Sequence, residues 1–80
     1  MWVRPKDHRL VGKNLAEVRE RANMTQVELA KRLGKPQSFV SAYEQGQRRV
    51  DLLEFLRIID ALRADPRQVF ATIVERRPKH

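Results

Sequence analysis

Apolar side chains recur along the chain at helical spacing, and no segment alternates as a strand would. Val11, Leu15, Val18 and Ala22 step by four, three and four, which predicts a helix over residues 11–23. Pro5 and Gly12 weaken the turns at its start, leaving that start open, and Asn23 can close its end. Thr25 can cap a second helix, with Glu28 three positions on to return the bond and Met24 and Leu29 as the flanking staple. Leu29, Ala30 and Leu33 share its inner face, and Gly34 supplies a left-handed stop. Lys35 and Pro36 lead into a third helix, Gln37 to Glu44, because proline suits a first turn. Val40 and Tyr43 face one way, and Gly46 ends the segment. Its other flank (Gln37, Ser38, Ser41, Ala42, Gln45) is small or polar without charge. Asp51 and Glu54 repeat the capping box, with Val50 and Phe55 as the staple. Leu52, Leu53, Phe55, Leu56, Ile58, Ile59, Ala61 and Leu62 then wrap more than half of the fourth helix, wider than one small core covers. Asp65, Pro66 and Gln68 open a fifth, carrying Val69, Phe70, Ile73 and Val74, with Pro78 beyond its end. The expectation is an all-α fold of five helices.

Eighty residues make a single domain. At this size folding buries roughly 63% of the unfolded surface, too little for a deep substrate cavity with a cofactor. Cysteine is absent, which excludes disulfides, thiolate catalysis and Cys-based zinc sites. The two histidines, His8 and His80, lie near the chain ends, so Ser38 and Ser41 have no nearby base. Nucleophilic and metal catalysis therefore lack their parts, and no enzyme and no cofactor are expected. No apolar run reaches the roughly 18 residues of a membrane span, and nothing resembles a signal peptide. A reducing cytoplasm is the expected setting.

Charge points to a partner. Seventeen Lys and Arg against ten Asp and Glu leave a net +7, which favours a polyanion and nucleic acid ahead of membrane. Residues 25–50 are basic, with Lys31, Arg32, Lys35, Arg48 and Arg49 against Glu28 and Glu44. Residues 51–74 are not: Asp51, Glu54, Asp60 and Asp65 outnumber Arg57, Arg63 and Arg67. Two short helices joined by a glycine-containing turn, inside a basic domain, form a helix-turn-helix candidate for DNA binding.

The residues themselves go further. Met24-Thr-Gln-Val-Glu-Leu-Ala-Lys-Arg-Leu-Gly34, then Pro36-Gln-Ser-Phe-Val-Ser41, then Tyr43-Glu-Gln-Gly46, resembles the Cro/C1-type (XRE-like) helix-turn-helix regulators. The resemblance spans about residues 10–74, with the helix-turn-helix at about 25–45, a flexible basic arm at 1–9 and a basic tail at 75–80. It implies a compact five-helix, lambda-repressor-like domain that binds double-stranded DNA as a homodimer on a near-palindromic operator. It places Gln26 on phosphate at the start of helix 2, and Gln37 and Ser38 at base edges. An amide can bond adenine N6 and N7 together. Ser41 is a phosphate or local backbone partner. Ala42 departs from the family, whose members often carry Lys or Arg there; its methyl can touch thymine but cannot hydrogen-bond a base. Pro36 replaces the usual serine cap. Arg48, Arg49 and Lys35 are expected on the DNA backbone. Arg19 and Glu44 match the family's salt bridge between helices 1 and 3.

The surplus apolar surface of helices 4 and 5 favours a two-fold interface, with Leu53, Ile58, Phe70, Ile73 and Val74 as its expected residues, over the opposing reading in which helix 5 covers helix 4 fully within one monomer. Trp2 and the basic arm could reach the minor groove, pack on a second subunit or stay loose; a loose arm is the expectation. Neither a membrane nor a small-molecule ligand is expected. The leading function is a transcriptional regulator, most often a repressor. The competing class is a protein-interaction module, antitoxin-like or an accessory subunit, for which DNA binding is secondary.

Overall fold

Two of the helices begin with the reciprocal cap that their sequences promise. In this computed structural model, which describes residues 5–78, the helices are α1 (Pro5–Arg21), α2 (Gln26–Leu33), α3 (Gln37–Glu44), α4 (Leu52–Ala61) and α5 (Pro66–Arg76). No strand occurs among the described residues. Ahead of α2, the Thr25 hydroxyl accepts from the Glu28 N–H at 3.1 Å while the Glu28 carboxylate accepts from the Thr25 N–H at 3.0 Å. Asp51 and Glu54 repeat the exchange ahead of α4 at 2.8 and 3.1 Å. Each such cap contributes about 1 kcal/mol. Gly34, at φ +67°, closes α2 in the left-handed conformation that an L side chain resists.

The first helix starts at Pro5, so residues 5–9 of the expected arm are helical. Proline fits there because its missing N–H would have had no helical partner. Trp2 and Arg4, on the same expected arm, lie outside the described residues. Gly12 lies inside α1, and packing explains a residue that propensity alone disfavours. A Cβ there would collide with the Tyr43 carbonyl oxygen and stand 2.9 Å from the Glu44 carbonyl oxygen. The backbones of α1 and α3 thus touch, which only glycine permits.

Leu15, Leu29, Val40, Tyr43, Ile58 and Ile59 are fully enclosed and form the centre of the core. Burial pushes the Tyr43 phenol above its ordinary pKa, so its ring serves as neutral filling, edge-on to Phe39 at 5.6 Å. The α2 helix packs on α3 and α4, and α1 packs on α3 and α5. This arrangement corrects the expected interface. Ile58 is only 1% exposed, because α4 turns that side towards α2 and the core. Ile73 is half-buried against the same core. Leu52, Leu53, Leu56, Phe70 and Val74 do remain open, Leu53 at 73% and Phe70 at 56%.

One ion pair joins α1 to α3 across the Gly12 contact. Arg19 Nε and Nη2 donate to the two Glu44 carboxylate oxygens at 2.8 and 3.1 Å, and Nη1 donates to the Met24 carbonyl at 2.7 Å. The side chains are 13% and 6% exposed, so water can replace little of this if one partner is lost. At the far end, Arg76 ties α5 to α1 through Asn14 and Glu17, both at 2.9 Å.

Gly12→Ala should lower stability by roughly 1–3 kcal/mol through overpacking, although alanine is the better helix former. A denaturant midpoint at or above wild type would contradict the backbone contact. Arg19→Ala should cost about 3–5 kcal/mol by stranding a buried carboxylate. A loss below about 1 kcal/mol, the range of exposed pairs, would show Glu44 to be solvated.

Candidate nucleic-acid interface

The α3 helix buries Val40 and Tyr43, and this inner face fixes its outer one. Gln37, Ser38 and Gln45 are exposed, with Ser41 and Ala42 half-buried beside them. The outer row is therefore polar and uncharged, and its side chains can approach base edges without desolvating an ion. Pro36 offers no side-chain cap to α3. The Phe39 N–H donates to the Pro36 carbonyl at 3.0 Å, and the N–H groups of Gln37 and Ser38 ahead of it stand at a helix start, a position that favours an anion.

Glu44 does more than pair with Arg19. Its Oε1 also accepts from Gln26 Nε2 at 2.8 Å, and Gln26 Oε1 accepts from Gln37 Nε2 at 3.1 Å. A chain of four side chains thus runs from α1 through the end of α3 and the start of α2 to the start of α3. It leaves Gln37 with its amide oxygen and its second N–H, on an amide held in place by Gln26. Those two groups are the acceptor and donor that adenine N6 and N7 require. Gln26 keeps one amide N–H. The Ser41 hydroxyl accepts from Gln45 Nε2 at 3.3 Å.

Basic side chains flank the row. Lys35 and Arg49 are exposed, and neither forms a salt bridge among the described residues. Arg48 is held differently. Its Nη1 and Nη2 donate to the Glu54 oxygens at 3.0 and 2.7 Å, and Nη1 also donates to the Arg49 carbonyl at 2.7 Å. The Arg48 guanidinium lies 4.5 Å from the centroid of the Phe39 ring, and the Lys35 ammonium lies 5.5 Å from it. The Arg48 guanidinium, and after it the Asp51 N–H, hold the Glu54 carboxyl down at about 2, so it stays charged at any ordinary pH.

The structure thus gathers Gln26, Gln37, Ser38, Ser41, Ala42, Lys35, Arg48 and Arg49 on and around α3. Two participants escaped sequence reasoning, Phe39 and Glu54. Phe39 reads as one more apolar helix residue, and Glu54 as a cap. Arg48 and Glu54 sit six positions apart across a turn, a spacing that no helical rule links. No group of His, Cys, Asp and Glu among the described residues could hold a metal ion, and no helix there is long and apolar enough to cross a membrane.

A helix-turn-helix family model matches residues 15–69, more than half of the chain. A search of curated protein sequences gives no significant match. Among solved structures, an XRE-family like protein from Pseudomonas syringae pv. tomato is 37% identical with a TM-score of 0.79, over 91% of this chain and 89% of that one. The restriction-modification controller protein C.AhdI from Aeromonas hydrophila is 35% identical with a TM-score of 0.74, over 81% of this chain and 98% of that one. The clp gene regulator ClgR from C. glutamicum shares the fold, with a TM-score of 0.83 at 20% identity over 92% of this chain and 96% of that one. With this match and these relatives, and with the polar outer row of α3 set between basic flanks, the chain belongs to the Cro/C1-type (XRE) helix-turn-helix family of DNA-binding regulators, which are not enzymes.

Proposed function

We propose that this chain is a sequence-specific, double-stranded DNA-binding transcriptional repressor that acts as a homodimer on a near-palindromic operator. The observation that carries the reading is the Gln26–Gln37 bond. It orders a base-reading amide before DNA arrives, with an adenine-matching edge left open. The α3 helix then enters the major groove and α2 crosses the backbone. Lys35, Arg49 and the remaining N–H of Gln26 meet phosphates, which fix register without reading sequence. Ser38 reads beside Gln37, while Ala42 adds at most a methyl contact. With few direct base contacts, part of the selectivity falls to DNA shape.

Dimerisation has its own support. Leu52, Leu53, Leu56, Phe70 and Val74 are open to solvent on α4 and α5. A groove of about 240 Å³, lined among others by Val11, Leu52, Phe55, Phe70 and Ile73, lies against them. A two-fold pair would cover this surface and set two recognition helices about 34 Å apart, the spacing of successive major grooves. Likeness to C.AhdI favours control of a restriction–modification locus over a phage or antitoxin setting. A protein-docking use of α3 fits less well, since its outer row is neither apolar nor acidic.

The test is a titration of the DNA upstream of the gene against random duplex. Preference for the upstream DNA should reach about 10³-fold, the low end of specific binding. Equal binding to both would mean that the operator does not lie upstream of this gene and that the chain does not repress its own synthesis. Gln37→Ala should cost about 1–3 kcal/mol on the operator and relax selection at one adenine position. A binding motif unchanged in the variant would take Gln37 out of the readout. Phe70→Glu, at a site open enough to spare the core, should give monomers in sedimentation where wild type gives dimers. Monomeric wild type at tens of micromolar, a generous level for a stable pair, would end the dimer proposal.

A further inference from the structure

Arg48 differs from Lys35 and Arg49 in already holding an anion. Its two terminal nitrogens meet the two Glu54 oxygens side by side, at 3.0 and 2.7 Å, the same fork that a phosphate group accepts. An exposed ion pair is ordinarily weak, because two long side chains must be ordered to form it. Here both are ordered beforehand. The Phe39 ring and the Arg49 carbonyl hold Arg48, while the capping bond from the Asp51 N–H holds Glu54. The pair therefore keeps more of its Coulombic gain than a free surface pair, and it lies at the edge of the recognition helix.

We propose that Glu54 is a built-in competitor of DNA phosphate for Arg48: its carboxylate occupies the guanidinium fork in the free protein, on the platform of the Phe39 ring, and the DNA backbone must displace it. This proposal rests on the DNA-binding function above. Its effect is to restrain sequence-independent binding. Lys35 and Arg49 offer their charge to any duplex, whereas Arg48 offers its charge only in exchange for Glu54. A protein of net charge +7 meets a large excess of non-specific sites, and each phosphate contact it withholds lowers their hold on it.

The experiment titrates a random-sequence duplex at several salt concentrations with wild type, Glu54→Gln and Asp51→Asn, each also in an Arg48→Ala background. Glutamine keeps an oxygen for the capping bond, so the start of α4 is retained. Asp51→Asn removes the same unit of negative charge from the same turn without releasing Arg48. Glu54→Gln should bind about two- to fivefold more tightly at low salt, the worth of one well-formed exposed pair. Its plot of log K against log salt should steepen by up to about 0.9, one further phosphate contact. That gain should exceed the gain from Asp51→Asn and vanish in the Arg48→Ala background. Equal gains from the two carboxylate variants, or a gain that survives without Arg48, would reduce the effect to general charge and overturn the proposal. A wild type and variants that all leave DNA unbound would overturn the DNA-binding reading along with it.

Discussion

The Arg19–Glu44 pair is the contact on which the rest of the structure depends. It is nearly shut off from water and spans α1 and the end of α3, where Gly12 already lets the two backbones touch. Removing either charge would leave the other buried without an opposite charge beside it, which costs far more than losing an exposed pair. The same carboxylate also holds Gln26, and Gln26 holds Gln37. Fixing the angle of α3 and fixing the amide at its outer edge are therefore consequences of one buried charge. Under the proposed function, stability and recognition are joined through Glu44.

Around that centre the chain divides its surface by chemistry. The first three helices present polar groups, helix N-termini and cations, suited to an anionic duplex. The last two present leucines and Phe70, suited to another apolar surface. Arg48 and Glu54 stand at the border between the halves. Through them the first turn of α4 is tied to the flank of α3.

What the sequence shows and what it hides follow from the range of each interaction. The capping boxes at Thr25–Glu28 and Asp51–Glu54 are visible because donor and acceptor lie within one turn of chain. The helices follow from spacing for the same reason. Arg19 and Glu44 are 25 residues apart and could be paired only through the family resemblance. Gly12 misleads a reading by propensity, since its reason lies on another helix. Ile58 misleads a reading by periodicity, which shows that α4 is apolar around most of its girth but not which side α2 covers. The Phe39–Arg48–Glu54 cluster depends on the path of the 46–50 turn, which no local rule supplies.

The most direct test of the central claim is a double-mutant cycle on Gln26 and Gln37, read as affinity for an operator selected from random DNA. If Glu44 positions the reading amide through Gln26, Gln26→Ala should remove much of what Gln37 contributes, with a coupling of about 1 kcal/mol or more. Effects that add to within about 0.3–0.5 kcal/mol would mean that the two glutamines act independently, and that the buried pair supports the fold without setting the readout.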